Sequence, residues 1–306
     1  MTRASAAAAL MFLHLLLLLL LGGASGASQH VAVQVNTMTS ATTLPEDHPF
    51  MCVTLDWWPS NKCDYGVCGW EGASLLNADL GSESAAGRRL RNALAALDRV
   101  TLRLGGTMAD NITYAMDGSA MSDCPGFSPP MPTPSGNFTG GCLNASRWAA
   151  LHDFCGSAPG CGLVFGLNLM YGRERSVVTP DAPCTQGRWN PSNTRALLEF
   201  TAEAGLPVVG WELGNEIECL NASTYARDVL TLRAIVDDVY GGAPAEGRPK
   251  IIVSDQLYWE QDFFDEFVPL VKDAVDVISW HDYPLGPGYN NPSLEAVGSC
   301  SLVTWG

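Results

Sequence analysis

Short apolar runs alternate with longer amphipathic runs along the chain, and this alternation predicts the secondary structure. Six apolar runs of four to seven residues are typical of buried strands. Five longer runs carry apolar residues at helical spacing, as Leu90, Leu94 and Leu97 do. An alternation of strands and helices is typical of an α/β fold with a parallel sheet. The predicted strands are Phe50–Asp56, Thr101–Leu104, Gly162–Asn168, Pro207–Leu213, Lys250–Ser254 and Val275–Trp280, and the predicted helices are Ser82–Arg99, Ser146–Cys155, Thr194–Ala204, Thr224–Tyr240 and Gln261–Lys272.

The order of these elements favours a TIM (β/α)8-type barrel. Such a barrel averages about 30 residues for each strand and its helix, so a seventh strand is expected about 90 residues after Glu216. We therefore expect an incomplete barrel over residues 50–288, with about six of the eight strands. Residues 28–49 contain one short alternating strand, Val31–Val35, which suits a separate side sheet. Residues 289–306 form a tail without a recognisable strand–helix unit.

The first 27 residues have the layout of a secretory signal peptide. Arg3 precedes an apolar run from Ala6 to Leu21, and small residues from Gly22 to Ser28 follow as a cleavage region. We expect a secreted protein of the cell wall, apoplast, or a lysosome- or vacuole-like compartment. The alternative is a retained anchor that keeps the protein at a membrane, since the run is only slightly short for a spanning helix. Glycosylation sequons at Asn111, Asn137, Asn144 and Asn221 agree with export.

Cysteine usage and charge narrow the chemistry further. Ten cysteines fit an oxidising compartment, where disulfides or core thiols are both possible and the pairing cannot be read from spacing. Cys63 and Cys68 are too far apart for the usual zinc spacing and no paired histidine follows, so we expect no metal and no redox cofactor. The formal net charge of −15 argues against nucleic acid and repels heavily sulfated glycans. A local pocket for one uronate remains compatible with that charge.

Polar and aromatic residues follow the predicted strands where each strand ends. The apolar run Val208–Leu213 leads to Asn215 and Glu216, a carboxylate placed as a general acid/base with an amide beside it. Each position has a plainer explanation: Asn215 and Glu216 start a helix, Asp56 caps a turn, His281 is a core histidine, and the tryptophans pack together. Carboxylates and amides bind sugar hydroxyls and aromatic rings stack on sugars, so their convergence predicts a saccharide site. The remaining predicted contacts are Trp58, Thr107, Asn168 and Tyr283.

These residues resemble the heparanases of glycoside hydrolase family 79, and most closely the plant heparanase-like β-glucuronidases. The resemblance extends from Phe50 to about Gly288, and the string Trp211–Glu216 is its most specific part. Two segments depart from the family: Trp280–Pro284, and Ser254–Tyr258, which replaces a turn containing glycine. The other matching segments are Asp56–Pro59, Lys62–Gly66, Leu102–Thr107, Gly141–Leu143, Ser146–Trp148, Phe165–Asn168 and Leu285–Gly288.

The resemblance implies a retaining β-glucuronidase that acts on a glucuronic-acid-containing glycan or glycoside. Glu216 would be the acid/base, Asn215 its neighbour, and Asp56, Thr107, His281 and Tyr283 would surround the sugar. The family's nucleophile is a glutamate on a later strand, and its β-sandwich also follows, so we expect both to be missing and turnover to be impaired. Two alternatives stay open: a carbohydrate-binding pseudoenzyme, and a secreted cell-wall glycoprotein without a catalytic role.

Overall fold

The structure is a computed structural model of the chain. It describes residues 51–57, 75–76, 78–97, 99–116, 124, 126, 140–175, 185–244 and 247–282, all within the compact unit Pro45–Gly306. The predictions for the signal peptide and the tail therefore lie outside the described residues. So do those for Val31–Val35, Trp58, Asn137 and Tyr283.

Within the described residues, six parallel strands form one sheet, in which they are arranged in the order in which they follow one another along the chain. Neighbouring strands pair in parallel throughout, which confirms the predicted α/β class with a parallel sheet. Because parallel strands align their carboxyl ends, the residues after each strand meet at one edge of the sheet. The strands are β1 (Met51–Asp56), β2 (Val100–Gly105), β5 (Gly162–Leu167), β8 (Gly210–Leu213), β9 (Lys250–Gln256) and β10 (Val277–Trp280).

Five helices connect the strands. The side chains of Ser84, Asn144 and Asn221 accept hydrogen bonds from backbone N–H groups of the first turn and so cap three of these helices. Asn221, rather than Asn215 or Glu216, therefore starts the helix that follows β8, and the capping explanation for the latter pair is wrong. The helices are α1 (Ala85–Ala95), α2 (Ala145–Gly156), α3 (Ser192–Glu203), α4 (Ala222–Tyr240) and α5 (Gln261–Val271). None of the helices in the described part of the chain has the length and apolarity to cross a membrane.

One 3-10 helix and two pairs of short strands were not predicted from the sequence. A 3-10 helix, Thr107–Asn111, follows β2 and leads into a parallel pair of short strands, β3 (Ile112–Ala115) and β4 (Gly141–Asn144). An antiparallel pair, β6 (Glu174–Arg175) and β7 (Thr185–Gln186), lies between β5 and α3. Disulfides join Cys124 to Cys142 and Cys155 to Cys161, which fits the expected oxidising compartment.

The two faces of the sheet differ sharply in polarity. Leu102 and Leu104 on β2 are completely buried in the apolar core, as are Trp211 and Leu213 on β8. Side chains alternate between faces along a strand, so Arg103 and Glu212 lie between these pairs and point to the opposite face. Aromatic rings fill the apolar side, where Trp57, Trp148, Phe165 and Trp211 pack against one another. Trp57 is thus a core residue, as the plainer explanation for the tryptophans expected.

Candidate active site

Glu216 lies just beyond the carboxyl end of β8. Its backbone has a φ of 55°, in the left-handed region that few residues other than glycine adopt. Its N–H donates to the Asp255 carbonyl oxygen at 2.8 Å, which ties the residue to the end of β9. The side chain is 23% exposed, so its carboxylate is supported by protein on one side and accessible from solvent on the other.

His281 joins Glu216 to a second carboxylate. Its Nδ1 lies 2.5 Å from Glu216 Oε1, and its Nε2 lies 2.8 Å from Asp255 Oδ1. Burial of the ring alone would lower the pKa of His281, but hydrogen bonds with Asp255 and Glu216 outweigh it and raise that pKa to about 10. Both ring nitrogens therefore carry a proton at neutral pH, and each donates to a carboxylate. His281 is consequently part of the polar site and not an isolated core histidine.

Arg103 is the centre of the buried part of this network. Its Nε donates to Glu212 Oε2 at 2.6 Å, and its Nη2 donates both to Asn215 Oδ1 at 3.0 Å and to Asp255 Oδ2. One guanidinium thus fixes the amide beside Glu216 and the carboxylate behind His281. The sequence did not lead us to predict Arg103, Glu212 or Asp255 as residues of the site. A charged residue between two core positions of an apolar strand was the signal, since such charges are rarely buried unless they are paired.

Burial raises the pKa of two carboxyl groups near the strand ends, those of Glu212 and Asp110. Burial, followed by the charge of Asp255, raises the pKa of Glu212 to about 7, while Arg103 opposes that rise. Burial also raises the pKa of Asp110 to about 7, although its oxygens accept from Leu169 N at 2.7 Å and Asn215 N at 2.9 Å. The backbone and the side chain of Asn215 are therefore both held in place by the protein.

Asp56 and Thr107 reach the same edge from β1 and β2. Gly106 separates Thr107 from β2 with a φ of 81°, and a Cβ on it would lie 2.4 Å from Asp56 Cγ. A side chain at Gly106 would therefore displace the Asp56 carboxylate. The negative charge of Asp56 also contributes to the raised pKa of Arg103, after the larger effects of Glu212 and Asp255 that overcome burial. The structure accordingly brings together four of the predicted site residues around Arg103 and Asp255, namely Asp56, Asn215, Glu216 and His281, and Thr107 follows Gly106 at the end of β2.

Asn168 does not belong to this group, which corrects the prediction that it contacts substrate. It follows β5 as expected, and at 4% exposure it is as buried as Asn215 at 3%. Its Nδ2 donates to the Ile112 carbonyl oxygen at 2.9 Å and its Oδ1 accepts from Met170 N at 2.8 Å. Since both ends of the amide are bonded to backbone groups, Asn168 connects β3 to the loop after β5 instead of binding a ligand.

The predicted glycosylation sites also differ from one another in how far their asparagines are buried. Asn111 is 5% exposed, so the folded chain leaves no room for a glycan there and the prediction at this site is corrected. Asn144 and Asn221 are more accessible, and in each the Oδ1 caps a helix. Glycosylation at these two positions stays a prediction. Within the described ranges, no cluster of three or more His, Cys, Asp or Glu side chains has a geometry that could hold a metal ion.

Comparison with known proteins places this geometry in context. Residues 30–303 match the model of the "Glycosyl hydrolase family 79, N-terminal domain". This range extends past residue 288, where the sequence resemblance was expected to end. Heparanase-like protein 3 of Arabidopsis thaliana is 33% identical over 280 residues, which cover 89% of this chain and 49% of that protein. Baicalin-beta-D-glucuronidase of Scutellaria baicalensis is 28% identical over 271 residues, covering 84% of this chain and 49% of that protein.

The chain thus spans about half the length of the curated relatives it matches. Among solved structures, a 4-O-alpha-L-rhamnosyl-beta-D-glucuronidase from Fusarium oxysporum aligns with a TM-score of 0.44 and 16% identity. The alignment covers 78% of this chain and 45% of that one.

Proposed function

Because the chain belongs to glycosyl hydrolase family 79, we propose that its site cleaves β-glucuronides with retention of configuration. One observation carries this proposal: Glu216 is a partly exposed carboxylate at the strand ends, held by His281 at 2.5 Å and flanked by the fixed amide of Asn215. A retaining glycosidase needs such a group to protonate the glycosidic oxygen and then to activate water. The proton that Glu216 donates is available from His281, whose protonated Nδ1 lies 2.5 Å from Glu216 Oε1. The name of the Scutellaria relative supports a glucuronide as the substrate.

The second carboxylate of a retaining mechanism must stand about 5 Å from the first and face the sugar. Within the described network, Asp255 and Glu212 are almost wholly buried and bonded to Arg103, so neither is presented to a substrate. We place the nucleophile on a later strand, as the family resemblance implies.

The test compares this chain with a version extended through two further strand–helix units of a family relative. Release of 4-nitrophenolate from 4-nitrophenyl β-D-glucuronide is measured for both, together with Glu216→Ala in the extended form. We expect turnover only in the extended form, loss of turnover in Glu216→Ala, and partial recovery of that variant with azide as an external nucleophile. Equal turnover by the short chain, or full activity of Glu216→Ala, would overturn the proposal.

A second candidate function is carbohydrate binding without cleavage. The commitment of Asp255 and Glu212 to Arg103 favours it for the chain as it stands, since a site can bind a sugar without presenting a second carboxylate. Binding of a thioglucuronide that is lost in Asn215→Ala or Trp58→Ala, without hydrolysis by any extended form, would support this function over the first.

We further propose that the protein is exported, with glycans at Asn144 and Asn221. The predicted signal peptide, the two disulfides and the accessibility of these two amides support this. Expression in a eukaryotic secretory host, followed by deglycosylation and peptide mapping, tests it. An unmodified protein retained in the cytosol would contradict it.

A further inference from the structure

Strand β9 ends at Asp255 and Gln256, and the backbone carbonyl groups of both residues are bonded to the candidate site. The Asp255 carbonyl oxygen accepts from Glu216 N at 2.8 Å, and the Gln256 carbonyl oxygen accepts from His281 N at 2.7 Å. Tyr258 follows Gln256 by two positions. This short separation places the side chains of the loop on the rim beside Glu216, since two residues of extended chain span about 7 Å.

Two large aromatic side chains of this loop are open to solvent. Tyr258 is 57% exposed and Trp259 is 47% exposed. The Trp259 ring is nevertheless held in place. It stacks on the Phe264 ring, with a centroid-to-centroid distance of 4.1 Å and an interplanar angle of 9°, and it makes an edge contact with the Trp280 ring at a centroid distance of 5.0 Å. A ring that is already held loses little freedom when a ligand packs against it, which favours binding. Exposed aromatic rings of this kind can stack on another flat ring.

The charge around this loop is negative. Segments 214–221, 257–260 and 281–282 contain the four acidic residues Glu216, Glu218, Glu260 and Asp282, against one cation, the protonated His281, and neither lysine nor arginine. Desolvation and then the charges of Glu260 and Glu216 raise the pKa of Glu218, so these three carboxylates are close enough to interact. A sulfate or a second uronate placed here would meet like charges.

The acid/base of a glycosidase reaches the glycosidic oxygen, so the protein surface beyond it contacts the leaving group. We propose that Tyr258 and Trp259 form a subsite for a flat, uncharged aromatic leaving group, and that the negative rim selects against sulfated glycans. This inference rests on the proposed function, because a leaving group is defined by a glycosidic bond at Glu216. It assigns the specificity of the site to the loop Leu257–Glu260.

Binding of ligands that cannot be cleaved tests the subsite independently of turnover. Isothermal titration calorimetry on the full chain compares methyl 1-thio-β-D-glucuronide, its 2-naphthyl analogue and a sulfonated naphthyl analogue. We expect the naphthyl compound to bind about tenfold more tightly than the methyl compound, and the sulfonated one to lose most of that gain. Tyr258→Ala should weaken naphthyl binding about threefold to tenfold and leave methyl binding unchanged.

The matched control is Leu230→Ala, which removes a comparably exposed apolar side chain from α4 and should change neither affinity. Trp259→Ala also removes contacts with Phe264 and Trp280, so Tyr258→Ala isolates the surface effect. Equal binding of the methyl and naphthyl compounds, or unchanged naphthyl binding in Tyr258→Ala, would overturn the subsite and leave the proposed function standing. No binding of any glucuronide would overturn both.

Discussion

Glu212 and Glu216 stand four residues apart along the chain, yet their surroundings are opposite. Glu212 lies inside β8, almost wholly buried, and bonds to Arg103 at 2.6 Å. Glu216 lies past the end of the strand, partly exposed, and bonds to His281 at 2.5 Å. A glutamate side chain is therefore part of a buried ion pair at position 212 and is available for acid/base chemistry at position 216. The position of a carboxylate relative to the strand end, and not its sequence neighbours, decides between the two roles.

The largest expected difference between the two glutamates is in catalysis. In an active extended form, Glu216→Gln should lower kcat/KM, which reports cleavage of the glycosidic bond, by about 10²- to 10⁴-fold for a glycoside with a poor leaving group, the usual contribution of a general acid. The loss should shrink for 4-nitrophenyl β-D-glucuronide, whose leaving group needs little protonation. A Glu216→Gln enzyme with the same loss for both substrates would show that Glu216 is not the proton donor.

Arg103→Met should have the largest effect on stability. It leaves Glu212 and Asp255 buried without their cation, which typically lowers the free energy of unfolding by about 3–5 kcal/mol. The matched control is Arg195→Met on the surface, where the pairs with Glu199 and Asp238 contribute less than about 1 kcal/mol. Urea unfolding followed by circular dichroism measures both. Similar midpoints for the two variants would refute the central role of Arg103.

The two glutamates should also differ in stability when each is replaced alone. Glu212→Gln removes a charged acceptor from a buried hydrogen bond and should lower the free energy of unfolding by about 1–3 kcal/mol. Glu216→Gln changes a partly exposed side chain and should stay within about 0.5 kcal/mol. The same urea titration compares them. A larger loss in Glu216→Gln than in Glu212→Gln would reverse the assignment of roles.

The smallest effect concerns pH. The pKa of His281 is raised from 6.5 to about 10 in the folded chain, so its stabilising contribution is complete below pH 6.5 and disappears as pH rises to about 10. We expect about 1 kcal/mol once solvent screening is allowed for. Subtracting the profile of His281→Gln isolates this contribution. Buried Glu212 and Asp110, whose pKa values are raised to about 7, also contribute stability at low pH, and that stability is lost in both proteins as the pH rises through about 7. A difference profile that is flat from pH 6.5 to 10 would contradict it.

The fold was largely predictable because its strands are apolar and its helices amphipathic. All six sheet strands and all five helices were predicted within a few residues, as Lys250–Ser254 for β9 (Lys250–Gln256) illustrates. The pair β3–β4 was missed because its four-residue strands are not parts of longer apolar runs, as the equally short β8 and β10 are. Glu216, Asn215 and His281 were found because they follow apolar strands.

The interior of the site was harder to predict. Arg103 and Asp255 come from strands β2 and β9, and their pairing depends on which faces the sheet brings together across β5 and β8. Asn168 was misassigned for the converse reason: nothing in the sequence tells that Ile112 O and Met170 N occupy both ends of its amide. A charged residue inside an apolar strand indicates that a partner exists, but which partner it meets is a property of the fold.

The left-handed backbone of Glu216 has a consequence for stability. A residue with a side chain typically gives up about 1–3 kcal/mol in this conformation, whereas glycine adopts it freely. Replacing Glu216 by glycine would therefore relax the backbone while it removes the carboxylate. The chain thus holds an acidic group at the strand ends at a cost in folding free energy that a glycine would not carry.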